Sequence, residues 1–328
     1  MRIATRRVWS LFPAAVLLCV SIAHAEEIDI LGQPFSYPRY PTDVLGWPGY
    51  PEGTLVTPEG YLYTGDAEVL FYVGDPPEPV VQRIRVLEGG WLPILHYSVR
   101  HGTILYEFTL TATTVRRLGG EELVNFVQVE MSNTGKEPAV GVLTCGYRYA
   151  PKEETQEWRH RFRRPARPNS LGGYLQAGTP YNAHCGHRLA SDSFIRENQV
   201  IYLYRVPKRR FEVRRYKTLP DLEAGETSGP EDFWVEDQQP STLVGLSMLS
   251  TPLHAGEKEE VLIVVPYRPL PVSYQETVRT LRKIPFTRVL DHVRDTWRKI
   301  RTYGMNIELP EAKVIDTWRA SLVYDLIA

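Results

Sequence analysis

The chain has 328 residues, with 43% hydrophobic and 23% charged residues and a formal net charge of -1 at pH 7. This composition is ordinary for a globular protein, and the length suffices for one large or two modest domains, each with its own core. The near-neutral charge argues against a nucleic-acid-binding protein, which is usually basic.

Residues 1–25 have the pattern of a secretory signal peptide. Three arginines fall within residues 1–7, and the uncharged apolar run Val8–Ala23 follows them. Small residues occupy the two positions that a signal peptidase reads, so we predict cleavage between Ala25 and Glu26. An uncleaved membrane anchor is the alternative, but a span needs about 20 apolar residues and this run is shorter. We therefore expect a secreted or periplasmic protein without a transmembrane anchor after cleavage.

Cleavage would leave two cysteines, Cys145 and Cys185. A disulfide between them is permissible in an oxidising compartment. The sequence does not show whether their Cα atoms lie within the about 4.4–6.8 Å that a disulfide requires, so two separate buried thiols remain the alternative.

Residues 26–60 are predicted to form an extended strap. Prolines alternate there with aromatic residues, namely Pro34, Tyr37, Pro38, Tyr40, Pro41, Trp47, Pro48, Tyr50, Pro51 and Pro58. A segment with so many prolines cannot form a helix. We expect the strap to lie across a surface with its aromatic side chains packed down, and a ligand platform is the alternative.

Residues 61–269 have the pattern of an antiparallel β-sandwich, because short apolar or alternating runs are separated by turn residues without a helical segment between them. His101-Gly102-Thr103 predicts a hairpin turn between Leu92–Arg100 and Ile104–Thr113. Glu260–Val265 is a continuous apolar strand, which predicts burial on both faces. Further strands are predicted at Leu70–Val73, Phe126–Met131, Ala139–Tyr147, Val200–Tyr204, Phe211–Val213 and Thr242–Met248.

A polar insertion at about residues 151–192 interrupts the sandwich. Its stretch Arg159–Arg167 interleaves arginines with aromatic residues, a pattern that suits anionic glycans. Acidic residues at 153, 154 and 157 largely balance this charge, so a solvated, salt-bridged loop is the preferred interpretation.

His184-Cys185-Gly186-His187 brings three potential metal ligands into four residues. Adjacent His and Cys side chains reach one tetrahedral ion poorly, and no matching pair follows downstream. We therefore predict neither a metal site nor a cofactor.

No catalytic residue is predicted. The carboxylate pair of a glycosidase converges in a cleft, about 5–9.5 Å apart. Convergence is invisible in the sequence, and we expect most of the strand acids, such as Glu68, Glu107 and Glu130, to face solvent. The chain also lacks a nucleophile elbow, a phosphate loop and a dinucleotide fingerprint.

After Pro269 the hydrophobic period changes from two to 3.6, which predicts a linker and an α-helical hairpin over residues 270–328. Gly304 marks the turn, and Pro310 suits the first turn of the second helix. The apolar residues at helical spacing are Phe286, Val289, Leu290, Val293, Trp297 and Ile300, then Val314, Ile315, Trp318, Leu322 and Val323.

The last three residues, Leu326–Ala328, carry no helix-capping signal. We therefore expect the hairpin to begin a longer helical array that this chain truncates. A complete protein whose last helix docks on the sandwich is the alternative.

The junction between the last strand and the two helices has a recognisable pattern. The apolar strand Val261–Val265 and the linker Pro266–Pro269 lead to a helix with a central Trp in Phe286–Trp297. An acidic-Pro turn then opens the second helix in Ile307–Leu322. This arrangement resembles the entry into the (α/α)6 toroid of six-hairpin glycosidases, in which a large N-terminal β-sandwich precedes the toroid.

The resemblance implies a mainly β fold, a large antiparallel β-sandwich followed by the first helical hairpin of a toroid. The family's general acid and base lie in toroid loops beyond that hairpin, and no residue here matches them. The resemblance thus implies an exported carbohydrate-active protein without a catalytic centre in this chain.

We expect a glycan or polysaccharide as the partner, with Trp47 or Trp91 stacking on a sugar face. A non-catalytic module that binds polysaccharide or a cell-envelope partner is one alternative, and a structural envelope protein is another. The sequence predicts neither the sugar nor the oligomeric state.

Overall fold

The computed structural model describes residues 43–56, 60–64, 67–80, 85–117, 120–149, 186–207, 209–229, 231–233, 243–303, 307 and 311–327. These residues belong to one compact unit, residues 39–328. The predicted signal peptide with its cleavage site at Ala25 and Glu26, most of the polar insertion, the turn at Gly304 and Pro310 lie outside the described residues.

The strands occur in two runs along the chain. Before the insertion they are β1 (Asp43–Leu45), β2 (Thr54–Val56), β3 (Leu62–Tyr63), β4 (Ala67–Val73), β5 (Glu78–Pro79), β6 (Val86–Glu88), β7 (Leu92–His101), β8 (Ile104–Arg117), β9 (Gly120–Asn133) and β10 (Ala139–Tyr149). After it they are β11 (His187–Leu189), β12 (Ser193–Arg196), β13 (Gln199–Arg205), β14 (Glu212–Thr218), β15 (Asp232–Phe233), β16 (Val244–Leu253), β17 (Lys258–Pro266) and β18 (Leu270–Pro271).

The helices lie mainly at the C-terminal end of the chain. They are α1 (Leu219–Ala224), α2 (Gln275–Leu281), α3 (Phe286–Arg301) and α4 (Ala312–Ile327). Among the described residues, no helix combines the length and the apolar character that a bilayer crossing requires.

The described strands form two antiparallel sheets. The first sheet has the order β1-β2-β3-β4-β10-β16-β14, with β5 paired to β4. The second has the order β15-β11-β12-β13-β17-β9-β8-β7-β6, with β18 paired to β13. The predicted hairpin is confirmed, because His101 of β7 pairs with Ile104 of β8 across a turn in which Gly102 has φ +57.

The two sheets pack face to face, so the predicted antiparallel β-sandwich is confirmed. Phe71 of β4 contacts Phe108 of β8, with ring centroids 6.2 Å apart. The Tyr106 hydroxyl accepts a hydrogen bond from the Val142 amide across the sheets at 3.0 Å. One apolar cluster built from both sheets fills the space between them.

Part of the outer face of the second sheet is apolar as well. Strand β17 illustrates this, since Val261, Ile263 and Val265 join the cluster between the sheets, whereas Leu262 and Val264 join a second cluster beneath α2, α3 and α4. The predicted burial of this strand on both faces is therefore confirmed, and the helices form the layer that covers it.

Part of the strap belongs to the first sheet, because β1 and β2 fall within residues 26–60. Tyr50 lies in the same segment and packs edge-on against Tyr267, with centroids 6.1 Å apart. Its hydroxyl donates a hydrogen bond to Glu122 Oε1 at 3.0 Å. Burial, reinforced by the Glu122 carboxylate, raises the pKa of Tyr50 to about 12.

Cys145 lies on β10 in the core between the sheets and forms no disulfide with another described residue. Burial raises its pKa well above the usual range, which suppresses the reactive thiolate. Its candidate partner Cys185 lies outside the described residues, so the disulfide stays a prediction.

A buried ion pair joins β4 to β10. Arg148 lies opposite Glu68 in the strand register, and its Nη1 is 3.2 Å from Glu68 Oε2. Both side chains are at most 1% exposed. The expectation that acids such as Glu68 face solvent is wrong at this position, because Glu68 lies opposite Arg148 on a part of β4 that is closed to solvent.

We expect Arg148→Met to lower the free energy of unfolding by about 3–5 kcal/mol, because it leaves Glu68 buried opposite an apolar side chain. The double variant Glu68→Leu/Arg148→Met should recover most of that loss. Urea denaturation of the parent and the variants measures both effects. A double variant no more stable than Arg148→Met would show that the two charges are not coupled.

Candidate functional site

Helix α3 lies on the outer face of the second sheet because its apolar residues recur at helical spacing. Phe286, Val289, Val293 and Trp297 are its buried residues, and they join the cluster beneath the helices. The residues of the last turn are basic, and their positive charges interact favourably with the negative end of the helix dipole. Trp297 therefore lies deep in the interface near the C-terminal end of α3.

Helix α4 docks beside α3 and against β1. Ile315, Val323 and Ile327 are its buried residues. Gly46 and Gly53 leave room for the Ile327 side chain because they lack a Cβ. A Cβ on either glycine would lie within 2.8 Å of that side chain. The Tyr324 hydroxyl donates a hydrogen bond to Asp43 on β1 at 3.4 Å.

A bidentate ion pair holds α3 to the end of β6. Arg294 donates from Nε to Glu88 Oε1 at 2.7 Å and from Nη2 to Glu88 Oε2 at 2.8 Å. His96 Nε2 on β7 lies 3.6 Å from the same carboxylate. The hydrogen bonds from Arg294 are the main reason that the pKa of Glu88 is lowered.

The turn after Glu88 presents Trp91 to the helices. Gly89 and Gly90 have φ values of +60 and +80, a region in which glycine is unstrained. A Cβ on Gly90 would lie 2.6 Å from Asp316 Oδ2, so α4 approaches the bare backbone of this turn. The two glycines thus let Trp91 and α4 come together.

A cavity of about 540 Å³ lies between this turn and the two helices. Three indole rings contribute to its wall, so we call it the tryptophan cavity. The described residues that line it are Trp91, Trp297, Ile300, Arg301, Ile307, Trp318, Arg319, Leu322, Val323, Asp325 and Leu326.

The polar groups of the tryptophan cavity are few and charged. Arg301 places its guanidinium carbon 5.4 Å from the centroid of the Trp91 ring, within cation–π range. Arg319 contacts Asp316 at 3.3 Å, so a neighbouring carboxylate balances its charge. Asp325 is the one acidic side chain among the described lining residues.

The indole Nε1–H of Trp297 is buried and has no hydrogen-bond acceptor among the described residues. The side chain is only 1% exposed, so bulk water does not compensate this donor. An unsatisfied buried donor costs about 1–3 kcal/mol.

The two predicted stacking residues have different environments. Trp91 lines the tryptophan cavity and is 7% exposed. Trp47 does not line it; its ring stacks on His292 of α3, with centroids 4.9 Å and planes 27° apart. The sequence places Trp297 and Trp318 on helices but does not indicate that they line a cavity. Their large indole side chains are the only feature of the sequence that could have suggested it.

The second half of the His-Cys-Gly-His motif is described, whereas His184 and Cys185 lie outside the described residues. His187 is buried and stacks between Phe194 and Phe233, with centroids 5.8 Å and 5.2 Å away. Within the described ranges, no group of three or more His, Cys, Asp or Glu side chains could hold a metal ion.

Comparison with known proteins gives no match, either to a protein-family model or to a curated protein.

Glu88→Gln should destabilise the protein most at neutral pH. The pKa of Glu88 is lowered in the folded state, so its ion pair contributes stability above the unfolded pKa of 4.5 and loses that contribution as the pH falls through the folded pKa. The difference in unfolding free energy between parent and variant should therefore shrink as the pH falls below 4.5 and through the lowered folded pKa. Denaturant titrations at several pH values measure it.

Asp291→Asn is the matched control, because Asp291 contacts the same Arg294 at 3.3 Å but is 71% exposed. Its effect should be small, as for other exposed pairs. An equal pH dependence in the two variants would contradict the role of Glu88.

Gly90→Ala should destabilise the protein by about 1–3 kcal/mol through backbone strain, with a further loss from the clash with Asp316. Gly102→Ala is the control, since Gly102 also has positive φ but a Cβ there meets nothing within 4 Å. In thermal unfolding, the melting temperature of Gly90→Ala should be lower than that of Gly102→Ala. Gly90→Ala/Asp316→Ala should recover the steric part, and equal stability of the two single variants would contradict a close approach.

Proposed function

We propose that this chain is an exported carbohydrate-active protein whose tryptophan cavity binds a glycan. Its architecture would be the N-terminal β-sandwich and first helical hairpin of a six-hairpin glycosidase-like protein. The signal-peptide pattern before Glu26 supports export. The sandwich followed by helices that dock on it supports the architectural part of the proposal.

The observation that carries the proposal is the described wall of the tryptophan cavity, which contains the three indole rings of Trp91, Trp297 and Trp318. Indole faces pack well against the C–H faces of a pyranose ring, and the hydroxyl groups at the ring edge supply acceptors. A hydrocarbon ligand would fill the same space but would offer no polar partner to the charged side chains of Arg301 and Asp325 that line it. An oxygen-rich ligand with apolar faces therefore fits this cavity better than a lipid chain.

The size of the cavity agrees with a ligand site. Its volume of about 540 Å³ falls within the about 300–1,000 Å³ that is typical of small-molecule pockets. Such pockets are mostly apolar with a few placed polar groups. The tryptophan cavity has this character, with Arg301, Arg319 and Asp325 as its charged groups.

The cavity is suited to binding rather than to hydrolysis. A glycosidase uses two carboxyl groups on either side of the scissile bond. Asp325 alone supplies a carboxylate among the described lining residues. Hydrolysis by the complete architecture would therefore depend on groups from elsewhere, and a non-catalytic polysaccharide-binding module would use the cavity in the same way.

We expect Trp318→Ala to weaken polysaccharide binding by about tenfold, which corresponds to about 1.4 kcal/mol of lost packing. Trp318 is the most accessible of the three cavity tryptophans, so its removal should leave the fold intact. Retention of the mature protein on a panel of insoluble polysaccharides, and affinity electrophoresis in soluble ones, measures the effect.

Tyr303→Ala is the control, because Tyr303 is 89% exposed and does not line the cavity. It should bind like the parent. Failure of the parent protein to bind any polysaccharide would contradict the proposal, and so would equal binding by Trp318→Ala.

A further inference from the structure

We infer that the glycan of the tryptophan cavity is acidic and that Arg301 binds its anionic group, a carboxylate or a sulfate. This inference rests on the proposed function, since it names the chemical class of the ligand for the same cavity. Arg301 is the last residue of α3 and lies at the cavity wall.

No carboxylate forms an ion pair with Arg301 in the part of the chain that the structure describes. Two other arginines of the helical layer differ, since Arg294 is bound by Glu88 and Arg319 contacts Asp316. Among the described cations that line the cavity, Arg301 is thus the one that is available to a ligand.

A purely structural role explains part of this arrangement. Basic residues in the last turn of a helix interact favourably with its dipole, and Arg298, Lys299 and Arg301 all occupy that turn. The dipole does not require any of them to lie over an aromatic ring. Arg301 alone is 5.4 Å from the Trp91 centroid and lines the cavity, so its position is more specific than the dipole demands.

The contact with Trp91 prepares Arg301 for an oxyanion. A guanidinium that stacks on an indole face keeps its N–H groups free at the edge of its plane, where they match a carboxylate or sulfate in a bidentate manner. The ring also restricts the motion of the side chain, so less conformational entropy is lost on binding. Trp91 therefore orients the guanidinium that would bind the anion.

Asp325 limits the number of anionic groups that the cavity accepts. Its carboxylate also lines the cavity and carries no ion pair within the described residues. It can accept hydrogen bonds from sugar hydroxyl groups, but it repels a second anion. The charges favour one anionic group on the Arg301 side and neutral hydroxyl groups near Asp325.

The test compares three probes on the mature protein by isothermal titration calorimetry. They are a galacturonic acid tetrasaccharide, its carboxyl-reduced galactose counterpart and a sulfated galactose tetrasaccharide. We expect an acidic probe to bind more tightly than the neutral one, and added salt to weaken that binding. The carboxylate and sulfate arms show which oxyanion Arg301 prefers.

Arg301→Gln should weaken binding of the preferred acidic probe by about tenfold to a hundredfold and leave binding of the neutral probe nearly unchanged. Arg298→Gln is the matched control, since it removes the same charge from the same helical turn but not from the cavity wall. It should bind like the parent. Near-UV circular dichroism checks that both variants retain the fold.

Two results separate this inference from the proposed function. Equal affinity for neutral and acidic probes, with no effect of Arg301→Gln, would overturn the acidic ligand while the glycan site stands. Absence of binding to these probes and to the polysaccharide panel, in a folded protein, would overturn the glycan site itself.

Discussion

Part of the second sheet, in β17, β9 and β13, is apolar on both faces, and most of the architecture follows from this constraint. One face meets the first sheet, but the outer face of β17 and β9 would expose Leu262, Val264 and Phe126 to water. Contiguous apolar patches of this kind are rare on monomeric surfaces, so another layer must cover them. Helices α2, α3 and α4 supply that layer, and the tryptophan cavity lies where their cover meets the turn after β6.

Apolar burial is non-directional, so it does not by itself fix how the helices sit on the sheet. Polar contacts at the edge of the layer fix the positions of the helices on the sheet. The bidentate Arg294–Glu88 pair holds α3 to β6, and the Tyr324–Asp43 hydrogen bond holds α4 to β1. The walls of the tryptophan cavity are therefore positioned by specific contacts outside it.

Patterns along the chain predicted the sandwich and the C-terminal helices α3 and α4 because both reflect a simple period, whereas α2 falls in what was predicted to be a linker. The apolar run at Val261–Val265 indicated a strand buried on both faces, and the structure confirms it. Helix α1 was missed because it buries none of its residues, although its Thr218–Asp221 capping box was a local signal. The cavity could not be predicted, since the helical period places Trp297 and Trp318 on their helices but gives no distance between the helices.

Trp297 belongs to two structures at once, the apolar cluster beneath the helices and the wall of the tryptophan cavity. Occupancy of the cavity and cohesion of the helical layer are therefore thermodynamically linked. A ligand at a hundred times its dissociation constant adds about 2.7 kcal/mol to the stability of a folded protein that it binds selectively. A ligand of the tryptophan cavity would therefore raise the melting temperature of the protein, so the proposed sugars can be screened by thermal unfolding.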